Sequence, residues 1–316
     1  MSTTYFAPAK LNLFLHVTGR RDDGCHLLES VFQLIDFGDT LTIETGSDGV
    51  IRRVNLVAGV PPGHDLAVRA AQLLQQTSGT RHGADLTLEK RIPLGGGLGG
   101  GSSDAATVLL ALNRLWGLGY SRQQLMDLAL SLGADVPFFV FGQSAFAQGV
   151  GERLEAVEVP PLWYVVAQPP VSVPTATIFA SPELTRNAKS VKIADFSAGG
   201  QNLFAEPAFR NDLQPVAMAK YPEIGRVIEW LRSACAQPAA GSATAAPVAV
   251  APAELAGVAA VIISPRMTGS GACVFAGFDS ESAAQTVFAQ RPAGVGGFVA
   301  RGLSRHPLHD FAGVKL

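Results

Sequence analysis

The residues able to do chemistry in this chain fall in three places. The first is Pro93-Leu94-Gly95-Gly96-Gly97-Leu98-Gly99-Gly100-Gly101-Ser102-Ser103, where six of the seven residues from Gly95 to Gly101 are glycine. So much glycine loses chain entropy on folding, and what it offers in return is bare backbone N–H that can approach a ligand closely. If a helix follows directly, its first N–H groups are unpaired and its positive dipole end faces the same way, which makes an anion site, above all for phosphates. A flexible glycine–serine linker is the competing reading, but apolar, structured-looking segments abut the run on both sides. The second place is Lys10, which shares one face of an alternating stretch with Asn12, Phe14 and His16. An ordinary exposed strand face is the alternative there. The third is Asp135, set between Gly133-Ala134 and the apolar run Val136-Pro137-Phe138-Phe139. A partly buried carboxylate is costly unless it is paired or used. Its plainer role would be to cap the segment after Pro137.

The elements that must position these groups follow from periodicity. Residues 9–17 alternate, with Leu11, Leu13, Leu15 and Val17 on one face, and predict a strand. Asp23-Gly24 is a turn signal with Cys25-His26 just beyond it. Residues 31–36 and 40–44 predict two strands divided by a turn at Phe37-Gly38-Asp39. Asp65 is placed to cap a helix whose apolar stripe is Leu66, Ala70, Leu73 and Leu74, and Gly79 to end it. Residues 84–90 alternate again, so the glycine run sits between a predicted strand and a predicted helix at 105–116. That helix is apolar nearly all round. Ser121 and Gln124 form a capping-box pattern for a helix that stops at Gly133.

Pro160-Pro161 marks a candidate boundary, which predicts domains at 1–159 and 160–316. Beyond it, 163–168 predicts a strand, Pro174 to Phe179 a turn into a short helix, and 223–234 an amphipathic helix. Around 236–260 the composition collapses to Ala, Pro, Val and Gly, too little bulk for a core and expected to be a surface insertion. A second glycine–serine loop, Met267-Thr268-Gly269-Ser270-Gly271-Ala272, follows, with a tight turn between strands as its plain reading. A strand at 273–276, a helix at 281–290 and a strand at 297–301 complete the chain.

Composition bounds the partners. The chain has 316 residues, 47% hydrophobic and 16% charged, with a formal net charge of −2. That balance leaves no electrostatic footprint for nucleic acid and no polybasic membrane patch. No apolar run is long enough to span a membrane, and the start of the chain lacks signal-peptide features. Three scattered cysteines, Cys25, Cys235 and Cys273, have no metal-ligand spacing and fit a reducing cytoplasmic compartment.

Known phosphate loops can be told apart by what surrounds their glycines. A P-loop needs a lysine after them, and none follows here. Gly95, Gly97 and Gly100 satisfy the dinucleotide spacing, but the acidic residue that motif requires would fall near Tyr120-Ser121, where another helix begins. The His-Arg-Asp catalytic loop of protein kinases is absent.

The run Gly97-Leu98-Gly99 through Ser102-Ser103 to Ala105, leading into a buried helix, resembles the phosphate loop of the GHMP kinase superfamily. The resemblance extends to Pro8 through Leu15, to Gly24-Cys25-His26, to Gly133 through Pro137 and to Gly149-Val150-Gly151-Glu152. It continues at Pro174-Thr175, at Asn211-Asp212-Leu213 and at Thr268 through Phe275. It implies an α+β fold of two α/β domains with the active site in the cleft between them. It also implies an ATP-dependent kinase, with Mg2+ accompanying the nucleotide, that phosphorylates the 2-hydroxyl of a cytidine diphosphate-linked methylerythritol for isoprenoid precursor synthesis. Another GHMP kinase with a non-cytidine acceptor is the alternative. Carried over by position, Lys10 and Asp135 are the catalytic pair. Pro93 through Ser103 hold the ATP phosphates, with Ser102 or Ser103 within reach of magnesium. Asn12, His26, Thr175 and Phe179 meet the acceptor. Two positions depart from the pattern: Cys25 stands where an aromatic residue stacks on the cytosine, and Asp65 where asparagine is common near the nucleotide.

Overall fold

The computed structural model describes residues 2–192, 208–236 and 261–312. The low-complexity stretch at 236–260 lies outside the described residues except for its first. In chain order the strands are β1 Ser2–Arg20, β2 His26–Gly46, β3 Ile51–Arg53, β4 Gly83–Glu89, β5 Ala145–Gln148, β6 Arg153–Ala156, β7 Trp163–Gln168, β8 Val261–Met267, β9 Val274–Phe278 and β10 Gly296–Leu303. The helices are α1 Leu66–Ser78, α2 Gly100–Leu115, α3 Arg122–Leu130, α4 Val136–Phe141, α5 Thr175–Phe179, α6 Gln214–Lys220, α7 Pro222–Ala236 and α8 Glu281–Ala289.

The described strands join one mixed sheet in the order β3-β4-β2-β10-β7-β9-β8, with β1 paired to β2 and β5 bridging β2 and β6. The long antiparallel β1–β2 ladder carries both ends of the molecule. Helices lie against the sheet in two groups, and three cores result. One packs α1, α2, α3 and α4 against β2 and β4; a second packs α6, α7 and α8 against β7, β8 and β9. The third, with Ala9, Leu11 and Leu13 of β1 and Tyr164 and Phe275 of β7 and β9, lies between them. Both faces of β1 are therefore buried: Leu11 and Leu13 have no exposed surface, and Lys10 and Asn12 on the other face are nearly as enclosed.

Local chemistry explains most boundaries. Asp65 caps α1 by accepting from the Ala67 N–H at 2.9 Å, and Gly79 ends it in the left-handed region. Ser121 and Gln124 close the full capping box at α3. Two expectations are corrected. Phe37-Gly38-Asp39 is not a turn: β2 runs straight through, and the register with β1 shifts there, passing over Asp36 and Phe37. Such a bulge bends the strand without ending it. Gly38 is required because a Cβ there would overlap the Ala7 carbonyl, while Phe37 turns out to stack on Phe298 with ring centroids 3.5 Å apart. The second correction concerns α2, which starts at Gly100 rather than at residue 105. Gly100 and Gly101 are poor helix formers by about 1 kcal/mol each relative to alanine. The buried run from Ser103 to Asn113 outweighs that and extends the helix back into the glycines. Removing one of its apolar contacts, as in Leu109→Ala, would cost roughly 2–5 kcal/mol.

Candidate active site

A cavity of about 630 Å3 runs along the β1–β2 ladder and the start of α2. One end is made by the glycine run. Gly99, in the left-handed region at φ 74°, is the N-cap of α2, and no side chain caps it. The first backbone N–H groups of the helix, from Gly100 to Ser102, therefore remain for a ligand. The Ser102 hydroxyl lines this end and has no hydrogen-bond partner among the described residues.

The glycines serve a second purpose that sequence did not reveal. The loop from Met267 to Ala272, joining β8 to β9, packs backbone to backbone against them. The Ala272 N–H donates to the Gly95 carbonyl at 3.1 Å and the Cys273 N–H to the Gly96 carbonyl at 3.2 Å. A Cβ on Gly97 would overlap the Thr268 carbonyl, and one on Gly96 would meet the Cys273 sulfur. The second loop is thus a strand connection and a cavity wall at once, with Gly269, Ser270 and Gly271 lining it. Asn211 holds it from behind, donating from Nδ2 to the carbonyls of Met267 and Gly269 at 2.8 Å each.

Between the ends lies the charged pair. Lys10 Nζ is 3.4 Å from Asp135 Oδ2, the lysine side chain 4% exposed and the carboxylate 38%. Asp135 stands at the N-cap of α4 yet makes no capping hydrogen bond, so its carboxylate is turned to Lys10 and the cavity. Lys10 is held on all sides. Its ammonium donates to Asn12 Oδ1 at 2.6 Å and lies 5.1 Å from the centre of the Phe32 ring. Its backbone N–H donates to the Leu98 carbonyl at 3.0 Å, tying β1 to the glycine run. Asn12 in turn donates to Ser30 Oγ at 2.9 Å.

The far end gathers Cys25, His26, Thr175 and Phe179 on the cavity wall. His26 and Phe179 pack ring to ring at 4.9 Å and 38°. Thr175 is tied to the second loop through a 2.7 Å hydrogen bond to Ser270 Oγ. Burial, then the positive charges of Arg186 and Arg20, hold the His26 pKa below the usual histidine value, so its ring is neutral.

The structure brings together Lys10, Asn12, His26, Asp135, Thr175, Phe179 and the run from Pro93 to Ser102. Ser103 is the exception. It is fully buried behind the run, its hydroxyl donating to the Pro8 carbonyl at 2.6 Å and its N–H to Gly99. Helical geometry turns it inward because α2 begins three residues earlier. Asp65 is likewise committed, capping α1 while paired with buried Arg53 at 2.7 Å. The expected alternation of β1 breaks at a bulge between Asn12 and Leu15, so Leu15 rather than His16 follows Lys10 and Asn12 along the cavity, and His16 faces away. Sequence reasoning missed Ser30 and Phe32, which carry no motif of their own and enter only through strand register, and it named the loop of Ser270 without giving it a place at the site.

A domain model for the N-terminal domain of GHMP kinases matches residues 65–143, which span α1 to α4 with the glycine run among them. A crystal structure of homoserine kinase from Cytophaga hutchinsonii aligns with 96% of the chain and 95% of its own at a TM-score of 0.68 and 17% identity, a likeness of fold. Fold and site together define a GHMP kinase. The 4-diphosphocytidyl-2-C-methyl-D-erythritol kinases of Thiobacillus denitrificans and Nitrosospira multiformis are each 54% identical to it, over 98% and 97% of the chain and 99% and 93% of their own lengths. A crystal structure of a 4-(cytidine 5'-diphospho)-2C-methyl-D-erythritol kinase covers 95% of the chain and 99% of its own at 32% identity and a TM-score of 0.74. The chain belongs to the 4-diphosphocytidyl-2-C-methyl-D-erythritol kinase family.

Proposed function

We propose that the protein transfers the γ-phosphoryl group of ATP to the 2-hydroxyl of 4-diphosphocytidyl-2-C-methyl-D-erythritol, a step in isoprenoid precursor synthesis. The observation that carries this is the Lys10–Asp135 pair lying in one cavity with the uncapped start of α2. The relatives of this chain carry the same activity in their names over nearly its full length.

Phosphoryl transfer asks a protein mainly for position and charge. The N–H groups at the start of α2 and the glycine run hold the donor phosphates. Asp135 accepts the hydroxyl proton and orients the oxygen for in-line attack. Lys10 offsets the charge that grows on the transferred group and its oxygens. Asn12 and Phe32 keep the ammonium in place, so no reorganisation is needed as charge develops. His26 and Phe179 take the cytosine, with Cys25 completing that wall, and Thr175 stands beside the acceptor path.

Magnesium fits this site as the partner of the nucleotide. Among the described residues no group of three or more His, Cys, Asp or Glu side chains could hold a metal ion. Mg2+ commonly relies on phosphate oxygens and water with one or two protein oxygens. The unpartnered Ser102 hydroxyl is the protein oxygen offered there, and the ion would supply charge neutralisation on the phosphates. We place the donor site in residues 1–159 and much of the acceptor wall in 160–316. Three free thiols support a reducing, cytoplasmic setting.

The test is an ATP-consumption assay offering the cytidylated acceptor, mevalonate or homoserine. Turnover of the first alone is expected. Turnover of mevalonate or homoserine in its place would establish the non-cytidine alternative.

A further inference from the structure

Arg186 follows α5 outside regular secondary structure and is half-buried. Its Nε–H donates to His26 Nε2 at 3.1 Å. Its two terminal nitrogens donate to the carbonyls of Leu184 at 2.9 Å, Phe179 at 3.1 Å and Ser181 at 2.8 Å. No carboxylate pairs with it among the described residues. One side chain therefore ties the end of α5, where Phe179 sits, to the start of β2, where His26 sits.

A guanidinium keeps all its protons and can only donate. The nitrogen it donates to must offer a lone pair, so the neutral His26 ring carries its own proton on Nδ1. Among the described residues Nδ1 has no partner, and it is not buried, on a ring that lines the cavity. We propose that Arg186 is a positioning residue that locks His26 as the Nδ1–H tautomer, so that the base end of the cavity presents a donor and selects a pyrimidine with an acceptor at N3. Cytosine offers that acceptor. Uracil carries N3–H and sets donor against donor. The proposal rests on reading this end of the cavity as the cytidine site.

The charged groups facing His26 are Arg186 and Arg20, both positive, and they disfavour a second proton on the ring. The tautomer is therefore decided by the hydrogen bond at neutral pH rather than by titration.

The experiment has two arms on the full-length protein. The first is a 15N–1H correlation spectrum of the histidine rings, assigned with His26→Gln. It is expected to show His26 protonated on Nδ1 and bare on Nε2, and to show mixed tautomers in Arg186→Met. The second compares the cytidylated acceptor with its uridine counterpart. Arg186→Met is expected to lose about 10- to 100-fold of the cytidine preference, the size of a mismatched buried hydrogen bond, through KM for the acceptor, with KM for ATP unchanged. An Nε2–H tautomer in the unaltered protein, or an Arg186→Met variant of native circular dichroism that keeps its preference, would overturn the proposal. The tautomer measurement needs no variant and decides the matter even if Arg186→Met does not fold. If the unaltered protein turned over the uridine compound as well as the cytidine one, selection would be lost as a premise. Failure on both compounds would strike the kinase reading instead.

Discussion

The two ends of the cavity are built from different material. The donor end is backbone: the start of α2 and two glycine loops whose main chains touch each other. The acceptor end is side chains, with His26, Phe179, Thr175 and Cys25 presented from β2, α5 and the turn before β2. A backbone wall has no rotamers to lose and nothing to repack, so it tolerates no added Cβ where the loops meet. A side-chain wall can change its members one at a time. That difference explains why the departure at Cys25 can occur beside an intact glycine run. The donor end also stands over ionisable groups. Lys90 is sealed beneath it between Asp39 and Asp104, and His306 reaches Thr107 of α2. The acceptor end has buried charges as well: Asp212 accepts from the Val17 N–H and Glu29 from the Val191 N–H, each at 2.9 Å.

Substitution can break this contrast, and the largest effect lies at the seam. Asp135→Asn removes the carboxylate proposed to accept the proton while leaving both walls intact. Its kcat is expected to fall about 10^3-fold or more, with ATP and acceptor binding within a few-fold in titrations. A kcat within tenfold of the unaltered value would remove Asp135 from its role. Next is the donor wall. Gly97→Ala places a Cβ into the Thr268 carbonyl at a φ of 75°. A loss of roughly 3 kcal/mol is expected, with a matching rise in KM for ATP, read by denaturant unfolding and steady-state kinetics. Gly101→Ala, only a few residues away, adds a methyl 3.5 Å from Leu66 in an ordinary helical conformation. It should leave stability level or raise it by up to about 1 kcal/mol. Equal losses from the two would show that glycine content, not loop contact, is what matters.

The ionisable groups give a pH signature. Burial, then the charges of Arg122 and His309, push the His306 pKa down to about 3. The unfolded chain protonates this ring near pH 6.5 and the folded chain only near pH 3. Between those values the unfolded state binds more protons, so stability falls as the pH drops. His306→Gln removes that term. The gap between the two proteins is expected to narrow by about 2 kcal/mol from pH 7 to pH 5, at about 1.4 kcal/mol per unit, read by unfolding at stepped pH. Asp104 acts in the opposite sense. Burial is the main cause that pushes its pKa up to about 8, with Lys90 pulling it down and Asp39 pushing it up. Both proteins share that group, so it cancels in the comparison. A gap that does not change with pH would show that His306 titrates alike folded and unfolded.

A smaller effect lies at the acceptor wall. Cys25→Tyr adds an aromatic face opposite Phe179 and is expected to lower KM for the cytidylated acceptor about tenfold, near the lower end of the 1–3 kcal/mol for base–aromatic stacking. KM for ATP should not move. A change in the ATP parameters would mean the two ends are not independent.

Much of this was legible before any coordinates. Asp65 with Gly79, and Ser121 with Gln124, announce α1 and α3 because caps and stops are local bonds between near neighbours. Phe37-Gly38-Asp39 misleads because its glycine answers a neighbouring strand, not a turn. The start of α2 misleads because propensity argues against helix at Gly100 and Gly101, while burial several residues later overrides it.

The chain alone singled out the groups able to do chemistry, the glycine run, Lys10 and Asp135, and it carries the motifs of the kinase family to which it belongs. Those are matters of residue type and short spacing. Tertiary structure decided which groups are free to act. It turned Ser102 to the cavity and Ser103 to Pro8, spent Asp65 on Arg53, and set Arg186 behind His26. It also showed that the glycines face a second loop as well as a ligand. Such choices depend on groups far apart in the chain, as with Asn12 and Thr268, 256 residues apart. Periodicity and capping describe a residue's neighbours in sequence, whereas orientation is settled by its neighbours in space.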